Sequence, residues 1–414
     1  MKNAITGRSQ MTREERQGFL EEELRHRTRQ WLVEMINEEL DTALGLSHHQ
    51  RGEGRQGYRN GQRERSFTTS GGKYEITFPR AVLFEPDASG KREWNSRLIP
   101  RYARRSETVE QAIINGYLCG TNTRKIKQAL SPLLAGAELS KSTVSRIVGR
   151  LSEHFEVWRK RDLSAEDIAV LFLDGFNLKL RLMRKVESIP VLSAIGVRPD
   201  GTKVLLSLEL RSSESEAAWS AVTEDLAGRG VKMPILAVID GNGGLYNSVK
   251  STWPWIDVQR CTKHKLENLY THCPRRHYEE VKADYHAIVY AESRKQAQGA
   301  YRRFEKKWAK SCPGLVKSLH EGGEELLTFF SYPKQMRRSI RTTNFIESIN
   351  KEFRRRVKTQ GSLPNSDAGL KLLYALFAFG LIKTNRICGC RELGPFVANR
   401  REQLGLIKKL DKAA

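Results

Sequence analysis

Two aspartates stand where aspartate is disfavoured. Asp174 closes the apolar run AVLFL and Asp240 closes ILAVI, and a glycine follows each, as LFLDGF and AVIDGN. Strands deplete aspartate, because its short side chain prefers caps and turns. A carboxylate at the end of a buried strand must be hydrogen-bonded, paired or metal-bound. On neighbouring strands of one sheet the two acids would lie close, and like charges that close need a cation between them or a shared proton. Hard oxygen ligands in that setting suit Mg²⁺ or Mn²⁺. Taken singly, each Asp-Gly is as compatible with a turn as with a ligand site. Taken as a pair in this order, the turn reading weakens.

A third acid belongs with them. The stretch RSIRTTNFIESINKEFRRRVKTQG reads as a helix with Glu347 near its start. Phe345, Ile346, Ile349 and Phe353 form its apolar side, while Asn344, Glu347, Asn350, Lys351 and Arg354 share the other face. Arg355 adds to the same basic band. A lone acid among Asn, Lys and Arg fits a metal ligand placed beside a phosphate backbone, although Glu352 stands nearby as a rival.

The elements that must carry these acids can be read from patterning. Residues 166–261 alternate apolar runs with amphipathic stretches in the order β-β-β-α-β-α-β, with a Pro199-Asp200-Gly201 turn between the second and third strands. Ser213 and Glu216 are spaced as a capping box for the first of these helices. Residues 262–335 read as wholly helical. Upstream, Thr12 and Glu15 form a capping box that opens a helix to about residue 46. The stretch 47–66 interleaves arginines, Arg55 and Arg59 among them, with glycines; it suits phosphate contacts or a solvated loop equally well. A short strand over 73–78 follows a Gly71-Gly72 turn, and 81–106 reads as irregular. Residues 107–151 read as a helix-turn-helix, its second helix capped by Thr121 or Asn122 and its third by Ser140, with Ser142, Thr143 and Arg146 on an early exposed face suited to a DNA groove.

The composition agrees with a polyanionic partner. The 414 residues carry a formal charge of +23, clustered rather than spread. No signal-like segment or long apolar run is present, so we expect a cytoplasmic, nucleoid-associated protein with no membrane partner. Six irregularly spaced cysteines read as reduced thiols. Cys261, His264, His272, Cys273 and His277 invite a zinc reading, but their spacing is not that of a standard finger.

Together these residues resemble the mutator-type transposases of bacterial insertion sequences, a family of DDE transposases. The resemblance is carried by GYRNG (57–61), TVSRI (143–147), LFLDGF (171–176), AVIDGNGGLYNSV (237–249), QRCTKHK (259–265) and RTTNFIESINKEFRRR (341–356), and runs from about residue 15 to 400. It implies an RNase H-like α/β core with an all-helical insertion, behind a mainly helical DNA-binding N-terminal region. The implied division is 1–106, 107–160 for the helix-turn-helix, 161–264 for the first part of the core, 265–335 for the insertion and 336–414 for the rest of the core. The resemblance also implies catalysis by Asp174, Asp240 and Glu347 with two Mg²⁺ or Mn²⁺ ions, and a C-x-x-H at Cys261 and His264. The partners it implies are the element's terminal inverted repeats, target DNA and a second copy of the chain, with a copied-circle intermediate. GNGGLYN after Asp240 departs from the more polar helix start usual in related chains. Two other readings compete. A non-catalytic helix-turn-helix regulator would not need the three acids, and a nuclease that cuts without joining would not need a sequence reader.

Overall fold

Patterning builds two different kinds of sheet in this chain. The computed structural model describes residues 12–47, 50, 54–85, 90–118, 126, 129–130, 141–182, 185–360, 365–382 and 385–405, in two compact units, Met1–Gly149 and Arg150–Ala414.

The first unit opens with α1 (Arg13–Leu44), closed at its start by the reciprocal Thr12–Glu15 bonds that the capping box predicts. Leu32, Ile36, Leu40 and Leu44 recur every four residues and are the buried stripe. They join Phe67, Ile76 and Phe78 in a core cluster with the hairpin β1 (Gly57–Thr69) and β2 (Gly72–Phe84), to which the short β3 (Lys91–Glu93) adds. The sequence reading places only 73–78 in a strand, so this hairpin is longer than expected on both sides. Its first strand escapes notice because GYRNGQRERS lacks the apolar alternation by which strands are recognised. The glycines of that motif serve the hairpin. Gly61 takes φ +76° where the β1–β2 register shifts between Arg59 and Gln62. At Gly57 a Cβ would lie 2.2 Å from the Val82 carbonyl oxygen. Gly57→Ala must therefore push two strands apart, and we expect a loss of about 2–4 kcal/mol in the first unit, measured by urea unfolding followed at its tryptophans; an unchanged midpoint would refute the close-packing argument.

Arg59 is committed to the fold. Its guanidinium pairs with Asp41 and donates to Asn37 Oδ1 at 3.2 Å, tying β1 to α1. Arg55 donates to the Gly57 carbonyl. Beyond the hairpin, α2 (Glu107–Leu118) buries Val109 and Ile113 against Ile126. Gly120, Thr121, Asn122 and Ser140, and with them the expected middle of the helix-turn-helix, lie outside the described residues. A third helix, α3 (Lys141–Arg159), begins where expected. The side chains of Ser142 and Thr143 are outside the description, while Arg146 is exposed.

In the second unit, Phe155 and Trp158 of α3 pack against Tyr374, Phe155 edge-on and Trp158 tilted. The predicted order β-β-β-α-β-α-β follows as β4 (Val170–Leu182), β5 (Lys185–Val197), β6 (Lys203–Leu210), α4 (Glu216–Gly228), β7 (Leu236–Ile239), α5 (Gly243–Thr252) and β8 (Asp257–Arg260). One five-stranded sheet results, ordered β6-β5-β4-β7-β8, with β5 antiparallel to β4 and β6, and β7 parallel to β4 and β8. Its core face buries Leu171, Leu173, Ala237 and Ile239 against Trp219 and Val222 of α4 and Leu245 and Val249 of α5. The cap of α4 is Ser215, whose hydroxyl accepts from the Ala218 amide at 3.3 Å, and not Ser213. A cap must be the extended residue directly before the first helical one, and Ser215 has that backbone, with ψ 161°.

Residues 262–335 are less uniformly helical than the sequence suggests. α6 (Thr262–Thr271), α7 (Tyr278–Val289), α8 (Arg294–Trp308) and α9 (Pro313–Gly322) give way to 3₁₀ turns at Glu324–Leu326 and Thr328–Ser331. The Glu347 helix is also shorter than expected. A turn of helix, α10 (Arg337–Ile340), is separated from α11 (Asn344–Gln360) by a break, after which come α12 (Ser366–Ala378) and α13 (Cys390–Gln403). The break has a cause in hydrogen bonding. The Arg341 carbonyl accepts from the Thr262 amide at 2.9 Å, and the Thr343 amide points at Cys261 Sγ at 3.4 Å, so both groups are taken out of a helical ladder.

Candidate active site

Register brings the two aspartates together. On β4 and β7 the paired residues are Val170 with Leu236, Leu171 with Ala237 and Phe172 with Val238, a constant offset of 236 − 170 = 66. Asp174 and Asp240 are separated by the same 240 − 174 = 66, so continuing the ladder places them side by side on adjacent strands. Side chains alternate along a strand. With Leu171, Leu173, Ala237 and Ile239 in the helix-covered core, Phe172, Asp174, Val238 and Asp240 belong to the opposite face. That face is covered by α11, where Phe345 meets Phe172 edge-on with ring centroids 4.7 Å apart. Ile346, Ile349 and Phe353 seat the helix, and Glu347 lies in its first turn, where the helix dipole favours an anion.

The surroundings set the electrostatics. Asp174 is 4% exposed, and burial pushes its carboxyl up to about 8, with Asp240 adding to the rise and His264 opposing it. Burial likewise raises Asp240, against the Asn242 amide that its Oδ1 accepts at 2.9 Å. Asn242 then caps α5, its Oδ1 accepting from Gly244 at 2.8 Å and Leu245 at 3.2 Å. Burial disfavours the anionic form of both carboxyls, so a cation bound between them would stabilise that form. Asp174, Asp240, Arg260, Cys261, His264 and Lys265 line one cavity of about 620 Å³.

Glu347 joins the group through α6. One of its carboxylate oxygens pairs with Lys263, and the other lies 3.5 Å from His264 Nε2. His264 is drawn up to about 9, chiefly by the Cys261 thiol, against its own burial, and further by Asp174 and Asp240. Its Nδ1 is buried without a well-formed hydrogen bond. Burial raises the Cys261 thiol, but His264 outweighs this and the net shift is downward. Cys261 also accepts from Thr343 Oγ1 at 3.5 Å, clasping the end of β8 to the break that launches α11. The C-x-x-H spacing thus joins the strand end, through Cys261, to the helix of the third acid, through His264. Among the described residues no three His, Cys, Asp or Glu groups are arranged as a ready-made ion cage; Lys263 and His264 lie against Glu347. His277 packs edge-on against Trp308 and lies 3.6 Å from Glu280, and Cys273 Sγ is 3.9 Å from the Tyr270 carbonyl.

The other residues singled out in the sequence divide. Asn344, Lys351, Arg354 and Arg355 are exposed on α11, with Arg354 reaching the Asn177 carbonyl at 3.5 Å and Arg355 pairing with Glu352 at 2.8 Å. That pair turns Glu352 outward, away from the Phe353 side that faces the sheet. The side chain of Asn350 is outside the description. One acid escaped sequence reasoning. Glu214 precedes the α4 cap, and a Cβ at Gly175 would meet its carboxyl carbon at 2.5 Å, so its carboxylate rests on the glycine that follows Asp174. Burial and then Asp240 raise it, and its carbonyl accepts from Asn242 Nδ2 at 3.0 Å. Its only signal was position in an SSESE run that reads as ordinary helix-start polarity.

Comparison with known proteins places the sequence in a family. The family model described as "Transposase, Mutator family" matches residues 2–379. The transposase for insertion sequence element ISRM5 of Rhizobium meliloti is 33% identical over 353 residues, 85% of this chain and 86% of that protein. The transposase for insertion sequence element IS905 of Lactococcus lactis is 31% identical, over 83% of this chain and 85% of its own length. A solved Drosophila P element transposase strand transfer complex aligns with a TM-score of 0.30 and 9% identity over 73% of this chain and 86% of that one, a likeness too slight to bear on the fold. With its sequence matched from residue 2 to residue 379, the chain belongs to the Mutator family of transposases.

Proposed function

We propose that this transposase cuts and joins DNA at the ends of an insertion sequence element by metal-dependent phosphoryl transfer, with Asp174, Asp240 and Glu347 as the reactive carboxylates. The second unit is then an RNase H-like domain interrupted by the helices of 265–335. The observation that carries this reading is the shared register of Asp174 and Asp240 on the sheet face that α11 covers.

The three carboxylates would hold two Mg²⁺ or Mn²⁺ ions, and such ions activate the attacking oxygen and stabilise the leaving one in an in-line displacement at phosphorus. The chain's own residues supply the rest. Burial raises the free energy of Asp174 and Asp240 as bare anions, which favours cation capture. Lys263 and His264 hold Glu347 over the pair, and Cys261 fixes where α11 starts. Lys351 and Arg354 on the exposed face of α11 offer charge to a passing phosphate backbone, while Arg260 and Lys265 do so inside the cavity. Water attacks the phosphorus at the element end and displaces the 3′-oxygen as a free 3′-OH, leaving a 5′-phosphate on the flanking strand; that 3′-OH then attacks a phosphorus of another strand and displaces that strand's 3′-oxygen. One site serves both steps because only the nucleophile changes. The terminal inverted repeats and target DNA are the partners, read in part through Ser142, Thr143 and Arg146 of α3, and the protein acts as a homodimer in the nucleoid.

The test is a strand-transfer assay with purified protein, labelled element ends and Mg²⁺ or Mn²⁺. Cleaved ends joined to a target support the proposal. Cleavage without joining leaves a nuclease, and binding without cleavage leaves a regulator; either overturns it.

A further inference from the structure

The second cavity lies in the first unit. The end of β1 is flanked by a returning segment: the Thr68 amide donates to the Arg104 carbonyl at 2.9 Å, the Ser106 amide donates to the Thr68 carbonyl at 2.8 Å, and Thr68 and Arg105 form a parallel bridge. This adds a strip of backbone to the sheet and leaves a cleft of about 710 Å³ between the hairpin and the strip. Its lining holds six basic side chains, Arg63, Arg65, Lys73, Arg101, Arg104 and Arg105, against one acid, Glu64.

Arg65, Arg101 and Lys73 are among those with local duties. Arg65 donates to the carbonyls of Ile99, Pro100 and Ala103 at 2.8–3.3 Å and lies 4.6 Å from the Phe78 ring, so it pins the strip. Arg101 pairs with Glu93 at 3.2 Å and Lys73 with Glu75 at 2.7 Å. Arg63 and Arg104 make no ion pair among the described residues. Arg63 stands two residues from Arg65 on the same strand face, 5.7 Å from the Phe78 ring, with a buried Nε that lacks a partner. Burial and then Arg63 lower Arg65. Glu64 stands between Arg63 and Arg65 in sequence, on the opposite face of β1, and its carboxylate accepts from Thr77 Oγ1 at 2.8 Å. At the rim stands Tyr102, 86% exposed.

We infer that this cleft is a binding site for the phosphodiester backbone of duplex DNA, with Arg63 and Arg104 as the phosphate ligands and Arg65 as a positioning residue. Assembling like charges around one concavity is unfavourable unless an anion enters. Arginine's planar fork suits phosphate oxygens. Contacts of this kind hold DNA without reading its sequence. The inference rests on the DNA-processing reading above, yet assigns DNA contact to residues other than Arg55 and Arg59, whose guanidinium groups serve the fold.

The test is fluorescence anisotropy of the full-length chain with an element-end duplex and an unrelated duplex across a salt series. Each lost phosphate contact should flatten the plot of log K against log salt by about 0.9. Arg63→Gln with Arg104→Gln should therefore flatten it by about 2 on both duplexes. The exposed single change Arg104→Glu, which leaves the hairpin core alone, should weaken both duplexes in parallel. Arg59→Gln should leave the slope unchanged. An unaltered slope in the double variant, or an equal change in Arg59→Gln, would overturn the assignment. Wild-type protein that binds no DNA would instead overturn the DNA-processing reading itself.

Discussion

Asp174→Asn should reduce strand cleavage by at least about a thousand-fold, equivalent to ~4 kcal/mol of transition-state stabilisation, while raising the protein's melting temperature in alkaline, cation-free buffer. The two effects share one origin. Burial lifts the Asp174 carboxyl from an ordinary 3.8 to about 8, so the folded protein holds a proton that the unfolded chain releases. Stability from that neutral carboxyl is fully present below about pH 4 and is lost as pH rises through about 8. Asparagine is neutral at every pH and should not lose it. The wild-type protein should thus melt below the variant at about pH 9, with the gap narrowing as the pH falls and closing by about pH 4. His264, raised to about 9, has the same sign, stabilising below its ordinary 6.5 and fading through about 9, but it is retained in both proteins. Millimolar Mg²⁺ or Mn²⁺ should raise the wild-type melting temperature at alkaline pH, because a ligand of the folded state stabilises it by mass action, and should not raise the variant's. Scanning calorimetry in chelator and in cation reads all of this. Normal cleavage by Asp174→Asn, or a gap that opens toward acid instead, would refute the assignment.

Gly175→Ala should lower cleavage about 10- to 100-fold, the range typical of groups that support a reactive shell, without unfolding the chain. Gly175 sits in β4 with an unexceptional backbone, and what an added methyl meets is the far end of the Glu214 side chain. A flexible carboxylate can swing away, so the fold survives and the carboxylate is displaced from its place near Asp240. Glu214→Gln, which keeps the shape and removes the charge, should fall in the same range. The decisive comparison adds Gly175→Ala to Glu214→Ala. If the glycine matters only as the seat of that carboxylate, the double variant should be no slower than Glu214→Ala alone. Losses that multiply would show that Gly175 acts by another route.

What the sequence by itself determined is what repeats locally. Apolar alternation and turn chemistry fixed the β-β-β-α-β-α-β order of 166–261, and the Thr12–Glu15 box fixed the start of α1. The unusual placement of Asp174 and Asp240 after apolar runs marked both acids, because few other roles tolerate a carboxylate there. Glu347 needed more, since Glu352 is just as acidic and only five positions away. Packing separates them, with Glu347 held by Lys263 and His264 and Glu352 paired outward with Arg355. Tertiary structure alone decided the rest, because those facts depend on pairing at long range. It put the offset of 66 residues into one parallel ladder, gave Cys261 and His264 a place between β8 and α11, and brought Glu214 onto Gly175. It also turned a Gly- and Arg-rich stretch into strand β1, locked Arg59 onto Asp41, and gathered Arg63 and Arg104 into one cleft from positions 41 residues apart, 104 − 63. No periodicity in a single segment records which distant segment will lie beside it.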